Sequence, residues 1–311
     1  MTEFELIKHY FAQQSLHRPD VMLGIGDDAA ILSIPAGMEL AVTTDTLALD
    51  VHFPASASPY DIGYKSLAVN LSDLAAMGAT PAWVTLAITL PQADESWIHS
   101  FCDGFFTLAN RYQVQLIGGD LTHGPLAITV QAIGFIPTRK AILRSGAKAG
   151  DLIYVTGTLG EAGLALLSLQ GKASPVPEDI LTRLHRPEPR VTVGEAIRDI
   201  AHAAIDISDG LTADLGHILE QSHVGAIIYV DQLPLSHLPH EGGIHLALTA
   251  GDDYELCFTI PTDKRAELEA KLTALSCRYT CIGTITEQTG LDLRYQNGKK
   301  YHGQIGGYQH F

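Results

Sequence analysis

The chain has 311 residues, and its 20 lysines and arginines against 35 aspartates and glutamates give a formal net charge of −15. So acidic a balance argues against nucleic acid and anionic membranes as partners, because both bind clustered basic side chains. The composition, 46% hydrophobic and 18% charged, is that of a folded globular protein, and the length predicts about two domains.

The sequence contains no run of 18 apolar residues, so we expect no membrane span. Its first residues lack the basic start and apolar core of a secretory signal. The cysteines are too few for a disulfide framework and lack the spacing of a zinc site. We therefore expect reduced thiols in a cytoplasmic protein, at Cys102, Cys257, Cys277 and Cys281.

Helices and strands alternate through the first half of the chain. Thr2 and Glu5 form the pattern of a capping box at the start of a helix. The elements that follow are a glycine–aspartate loop at 23–32, a strand over 40–47, a helix over 58–77, a strand over 83–89, a helix over 94–112, a short strand over 114–117 that ends at the glycines 118 and 119, and a strand over 126–135.

A basic segment at 137–148 separates the two halves and predicts domains over 1–137 and 148–311. The second half again alternates, which places the protein in the mixed α/β class. Its predicted strands cover 152–156, 203–207, 226–230, 254–260, 278–285 and 291–295, and its predicted helices cover 161–170, 178–185, 189–202, 210–222 and 263–275.

Aspartates recur at the ends of apolar segments and in the loops beside them. A buried carboxylate is costly unless it is paired or binds a metal, and the chain has too few basic residues nearby to pair them all. Asp206 is the clearest example, because it interrupts a segment that otherwise has the pattern of a core strand. The full set is Asp27, Asp28, Asp45, Asp73, Asp120, Asp206 and Asp209.

Each aspartate also has a simpler interpretation as a turn or cap residue; Asp209, for example, could cap the helix that follows Gly210. Together they favour a site for Mg²⁺, Mn²⁺ or Ca²⁺, since these ions take oxygen ligands. Nearby hydroxyls could contribute as well. Mg²⁺ shares its coordination sphere with phosphates, so the pattern predicts a phosphorylated substrate.

No phosphate loop of the Gly-x-x-x-x-Gly-Lys type is present. The run Gly157, Gly160 and Gly163 follows a strand, but its spacing departs from the dinucleotide fingerprint. We interpret these glycines as a packing turn.

Six segments, in order along the chain, resemble the motif series of the thiamine-monophosphate kinase family, within the superfamily of aminoimidazole-ribonucleotide synthetase. The most specific of them is YKSLAVNLSDLAAMGA at 64–79. The others are GIGDDA at 24–29, TTDT at 43–46, LIGGD at 116–120, IDISDG at 205–210 and GDDYEL at 251–256.

The resemblance implies a two-domain α/β fold whose N-terminal domains bind ATP and metal and pair in a homodimer. It implies that ATP and Mg²⁺ convert thiamine monophosphate to thiamine diphosphate. It implies metal ligands at Asp28, Thr43, Thr44, Asp45, Asp73, Asp120, Asp206 and Asp209. It also implies nucleotide contacts at Gly119, Asp120, Arg144 and Ser208, and substrate contacts at His52, Asp252 and Tyr308.

Direct transfer suits these residues, because a phosphate monoester is largely dianionic at pH 7 and can attack without a protein base. Two other functions stay open from the sequence. One is an ATP-dependent synthetase of the same superfamily, although the N-terminal segment lacks the glycine-flanked cysteine expected there. The other is a non-catalytic protein that binds cations.

Overall fold

A computed structural model describes residues 2–238, 242–303 and 305–309. The chain divides into two compact units, each described by itself below. The N-terminal unit contains the described residues up to Leu74 and the segment Ala79–Arg139. The C-terminal unit contains Ala75–Gly78 and the described residues from Lys140 onward.

The predicted capping box is present at the start of α1 (Glu3–Leu6). The Thr2 amide donates to Glu5 Oε2 at 2.7 Å, and the Glu5 amide donates to Thr2 Oγ1 at 3.4 Å. The helix then widens into a π-helical turn over Ile7–Phe11. The local capping signal therefore located the start of the helix but not its geometry.

The N-terminal unit is built on a mixed sheet with a small ribbon beside it. The sheet strands are β3 (Met38–Ala48), β4 (Thr80–Leu90), β5 (Gln115–His123) and β6 (Ala127–Pro137), and the ribbon strands are β1 (Val21–Leu23) and β2 (Ile31–Leu32). Among the described residues the sheet order is β3-β6-β4-β5. β6 is antiparallel to β3 and β4, and β5 is parallel to β4.

The short strand predicted over 114–117 is wrong in length, because β5 continues through its glycines to His123. Gly119 pairs with Leu86 of β4. A Cβ at position 119 would lie 1.8 Å from the Leu86 carbonyl oxygen. Glycine here permits a close approach of two strands rather than ending one of them.

Two long helices complete this unit, α2 (Pro59–Ala76) and α3 (Glu95–Arg111), close to their predicted bounds. Asp94 caps α3, because its Oδ1 accepts the Ser96 amide at 2.9 Å and the Trp97 amide at 3.2 Å. α2 buries most of its length, including Leu67, Leu71 and Leu74. A helix so enclosed fixes the direction of its few polar side chains.

The C-terminal unit has a second mixed sheet, formed by β7 (Leu152–Thr156), β8 (Ala203–Asp206), β9 (Gly225–Tyr229), β10 (Leu256–Ile260), β11 (Tyr279–Thr286) and β12 (Gly290–Arg294). Its order among the described residues is β12-β9-β11-β7-β10-β8. β12 runs parallel to β9, and the other pairs are antiparallel.

The helices of this unit are α4 (Glu161–Leu169), α5 (Glu178–His185), α6 (Val191–Ile197), α7 (Leu211–Ser222), α8 (Gly243–Thr249) and α9 (Arg265–Ala274). The helix predicted over 189–202 is shorter in the structure, where it is α6. The short helix α8 was not predicted. Within the described residues no helix combines the length and apolarity needed to span a bilayer.

All four cysteines are free thiols, as the sequence predicted. Cys102 and Cys257 are buried. Burial raises the pKa of Cys102 to about 12, so this thiol stays protonated at neutral pH.

Candidate active site

The face of β3 toward α2 brings predicted metal ligands together. Thr43 and Asp45 are two residues apart, so both side chains emerge on the same face of the strand. The Thr43 hydroxyl donates a hydrogen bond to Asp73 of α2. Burial, together with the charge and hydrogen bonding of Asp73, raises the pKa of Asp45 to about 6. Thr44 lies on the other face, where its Oγ1 accepts from Gln131 Nε2 at 3.4 Å.

Asn70 lies one helical turn before Asp73 and is fully buried. Its amide nitrogen donates to the Ser66 carbonyl oxygen at 3.1 Å. Its Oδ1 has no hydrogen-bond partner among the described residues. Residues three apart share a helix face, so Asn70 places a buried oxygen acceptor on the same face of α2 as Asp73.

A cavity of about 540 Å³ in the N-terminal unit contains three further predicted residues, Asp28, Gly119 and Asp120. The glycine–aspartate loop forms one wall and β5 another. The Asp27 carboxylate accepts the Asp28 amide at 2.8 Å, which stabilises the loop conformation. The apolar lining includes Phe4, Ile7, Phe11, Ile88, Leu116 and Leu121.

In the C-terminal unit, the turn after β8 carries Ser208 and Asp209. One oxygen of Asp214 on α7 accepts three successive backbone amides, those of Ser208 at 3.1 Å, Asp209 at 3.0 Å and Gly210 at 3.1 Å. Burial raises the pKa of Asp214 to about 7, and these amides act in the opposite direction. Asp206 precedes the turn, at the end of β8 beside Leu256 of β10.

Two predicted substrate residues meet this same turn through their backbones. The Asp252 amide donates to the Ser208 carbonyl oxygen at 2.8 Å. The Tyr308 amide donates to the Asp209 carbonyl oxygen at 3.0 Å. The structure therefore brings Asp252 and Tyr308 to the turn formed by Ser208 and Asp209, although both are far from it in sequence.

His52 follows β3, where its Nδ1 accepts the Ala48 amide at 3.1 Å. Its carbonyl oxygen accepts from the ammonium group of Lys65 at 3.1 Å, and Lys65 is only 3% exposed. Arg144 is exposed. Its backbone oxygen accepts from the Ser222 hydroxyl at 3.1 Å.

The sequence analysis assigned no role to Asp214, Asp253 and Glu255; Asp214 and Glu255 are buried, and Asp253 is half-buried. The Asp253 carboxylate accepts the Gly160 amide at 2.8 Å, at the N-terminus of α4. A dinucleotide fingerprint would place a phosphate at such a helix start, and here a carboxylate of the protein occupies it. This hydrogen bond supports the interpretation of the glycine turn as structural.

In the residues that the structure describes, no three His, Cys, Asp or Glu side chains are grouped closely enough to hold a metal ion. Asp45 and Asp73 form a close pair of carboxylates in the N-terminal unit. Two close carboxylates repel each other, as the raised pKa of Asp45 indicates, and a bound cation would relieve that repulsion. This chemistry suits a site for a divalent cation and a phosphate.

The chain matches two family models along most of its length. Residues 26–136 match the N-terminal domain of AIR synthase related proteins, and residues 148–296 match their C-terminal domain. A thiamine-monophosphate kinase of Escherichia coli K12 is 48% identical, over 99% of this chain and 98% of its own.

Solved structures agree with this comparison. The crystal structure of a thiamine-monophosphate kinase from Stenotrophomonas maltophilia has a TM-score of 0.88 and 47% identity, covering 97% of this chain and 98% of its own. The structure of AaThiL complexed with AMPPCP and TMP has a TM-score of 0.79 and 31% identity, covering 92% of each chain. The fold, the motifs and the relatives agree, and the chain belongs to the thiamine-monophosphate kinase family.

Proposed function

We propose that the protein transfers the γ-phosphoryl group of ATP to thiamine monophosphate, yielding ADP and thiamine diphosphate. The observation that carries this proposal is the near full-length identity of 48% to a thiamine-monophosphate kinase. AaThiL, a structural neighbour, was solved with both an ATP analogue and TMP. A synthetase or a non-catalytic protein has no comparable support.

A phosphate oxygen of thiamine monophosphate attacks the γ-phosphorus as the bond from that phosphorus to the β-phosphate oxygen breaks. The attacking phosphate is largely dianionic at pH 7, so no side chain has to remove a proton. The protein's task is to hold two anionic reactants in line against their repulsion. This distinguishes the reaction from phosphorylation of an alcohol, which would require a base.

Mg²⁺ fits the side chains of the N-terminal unit. The raised pKa of Asp45 reports repulsion from Asp73 in addition to burial, and a cation would relieve that repulsion. The Oδ1 of Asn70, which has no partner among the described residues, offers a further oxygen on the α2 face that carries Asp73. When bound, Mg²⁺ would neutralise charge on the phosphates. We propose several Mg²⁺ ions, with ligands at Thr43, Asp45 and Asp73 where β3 faces α2, at Thr44 on the opposite face of β3, at Asp28 and Asp120 beside the cavity, and at Asp206 and Asp209 in the C-terminal unit.

For the nucleotide we propose contacts from Gly119, Asp120, Arg144 and Ser208. The cavity beside Gly119 and Asp120 supports the first two, because it combines apolar walls with an acidic rim. A guanidinium such as Arg144 can bind phosphate with two parallel hydrogen bonds. For thiamine monophosphate we propose His52, Asp252 and Tyr308, the last two supported by their shared turn.

We further propose a cytoplasmic homodimer in which the N-terminal domains, predicted over residues 1–137, pair through β3. This strand is an edge of its sheet and exposes apolar side chains, with Val42 56% and Leu40 41% exposed. An exposed apolar edge strand favours pairing with a second copy. Sedimentation should show a dimer that Val42→Lys weakens. Leu275→Lys, at a residue 40% exposed in the C-terminal unit, should leave it intact.

The function is tested by incubating the purified protein with ATP, Mg²⁺ and thiamine monophosphate and measuring thiamine diphosphate by chromatography. We expect one ADP for each thiamine diphosphate and no reaction after Mg²⁺ is chelated. Thiamine itself, whose hydroxyl needs deprotonation, should not react at a comparable rate. Absence of thiamine diphosphate with all components present would refute the proposal.

A further inference from the structure

The loop over 251–255, between α8 and β10, holds two residues other than glycine in the left-handed region. Asp252 has φ of 69° and Tyr254 has φ of 48°. Backbone in this region is strained for any residue that carries a Cβ. A loop of this kind keeps its conformation only where the surrounding structure fixes it at several points.

Two side chains of the loop, Asp253 and Glu255, hold it in place through hydrogen bonds to their carboxylates. Asp253 accepts the Gly160 amide, and burial raises its pKa well above the ordinary value. Glu255, 4% exposed, accepts two hydrogen bonds from the guanidinium of Arg190, with Nε to Oε2 at 2.6 Å. The Thr156 hydroxyl donates to the same Oε2 at 2.6 Å.

Backbone hydrogen bonds join this loop to the turn that carries the predicted site residues. The Ile207 amide donates to the Glu255 carbonyl oxygen at 2.8 Å, and the Tyr254 amide donates to the Ile207 carbonyl oxygen at 2.8 Å. The Asp252 amide then reaches Ser208. A displacement of Glu255 would therefore move Asp252, which lies three residues away in the same loop, further than Ser208, whose amide is also held by Asp214.

We infer that Arg190 is a positioning residue for thiamine monophosphate, acting through Glu255 to fix the 251–255 loop. This rests on the proposed function, in which Asp252 contacts that substrate. The two parallel hydrogen bonds determine both the distance and the orientation of the Glu255 carboxylate. Lysine keeps the charge but lacks the planar fork, so it cannot replace this geometry.

The test compares Arg190→Gln and Arg190→Lys with the wild-type chain in steady-state assays and in calorimetric titrations. We expect Arg190→Gln to raise KM and Kd for thiamine monophosphate at least tenfold while KM for ATP changes less than twofold. Arg190→Lys should fold even if Arg190→Gln does not, and should show the same selective rise, at least fivefold.

Arg198→Gln is the matched control, because Arg198 is a partly buried arginine of the same unit that donates to the Gly78 carbonyl oxygen at 2.7 Å. It should leave both KM values within twofold. Unchanged constants for thiamine monophosphate in a folded Arg190 variant, or an equal rise in Arg198→Gln, would overturn the inference. If wild-type protein forms no thiamine diphosphate, it is the proposed function that fails.

Discussion

Asp45 of β3 and Asp73 of α2 lie within hydrogen-bond reach of each other in the N-terminal unit, so the charge of one carboxyl acts on the protonation of the other. Burial and the charge of Asp73 raise the pKa of Asp45 to about 6, from an ordinary value of 3.8. The metal-free native state therefore binds this proton more tightly than the unfolded chain does. Its contribution to stability falls as the pH rises from about 4 to about 6 and is constant above.

Asp45→Asn should accordingly stabilise the metal-free protein. We expect a gain of about 1–2 kcal/mol in the free energy of unfolding above pH 6, allowing for screening by solvent, and no gain below pH 4. Urea unfolding in EDTA across that pH range measures it. A gain in stability that is the same at every pH would show that repulsion between the Asp45 and Asp73 carboxylates is not its cause.

The same substitution should remove function. In wild-type protein at pH 7.5, Mg²⁺ should raise the melting temperature and support turnover. In Asp45→Asn we expect no Mg²⁺-dependent rise and a kcat lower by about a hundredfold or more. Asp103→Asn alters an exposed acid paired with His99 on α3 and should behave as wild type. Normal turnover in Asp45→Asn would exclude Asp45 from the metal site.

Local signals in the sequence located much of the fold. Asp94 predicts the start of α3, and a glycine at position 78, with φ of 68°, follows the end of α2. The continuation of β5 through Gly119 could not be predicted, because it depends on pairing with β4, which is a tertiary contact. α8 is short and has no side-chain cap, so it leaves little local pattern.

The candidate site shows the same limit. The sequence pattern placed Asp206 at the end of a strand, where the structure has it, but it could not show that the Thr43 hydroxyl donates to Asp73. The residues that hold the turns were missed. Asp214 and Glu255 lie within ordinary helix and strand patterns, and their role depends on partners brought together by folding.

Asp214→Ala should loosen the turn that carries Ser208 and Asp209. Removing the carboxylate leaves three backbone amides without their acceptor, which we expect to lower the free energy of unfolding by about 2–4 kcal/mol. Turnover of the folded fraction should fall as well. Urea unfolding and activity at low temperature, where the variant remains folded, measure the two effects separately.

The control for this substitution is Asp94→Ala, which removes an exposed cap of α3 that accepts two amides. It should cost about 1 kcal/mol and leave turnover per folded molecule unchanged. Equal losses of activity in both variants would mean that Asp214 acts on stability alone.

Adjacent glycines on β5 provide a final comparison. A Cβ at position 119 would overlap the Leu86 carbonyl oxygen, whereas a Cβ at position 118 would have no atom within 4 Å. Gly119→Ala must separate β4 from β5, so we expect a loss of at least about 2 kcal/mol and weaker ATP binding. Gly118→Ala should be nearly neutral for both. Thermal unfolding and ATP titration compare the pair. If both variants lose the same stability and ATP affinity, the close approach of β4 to β5 does not explain the need for glycine at position 119.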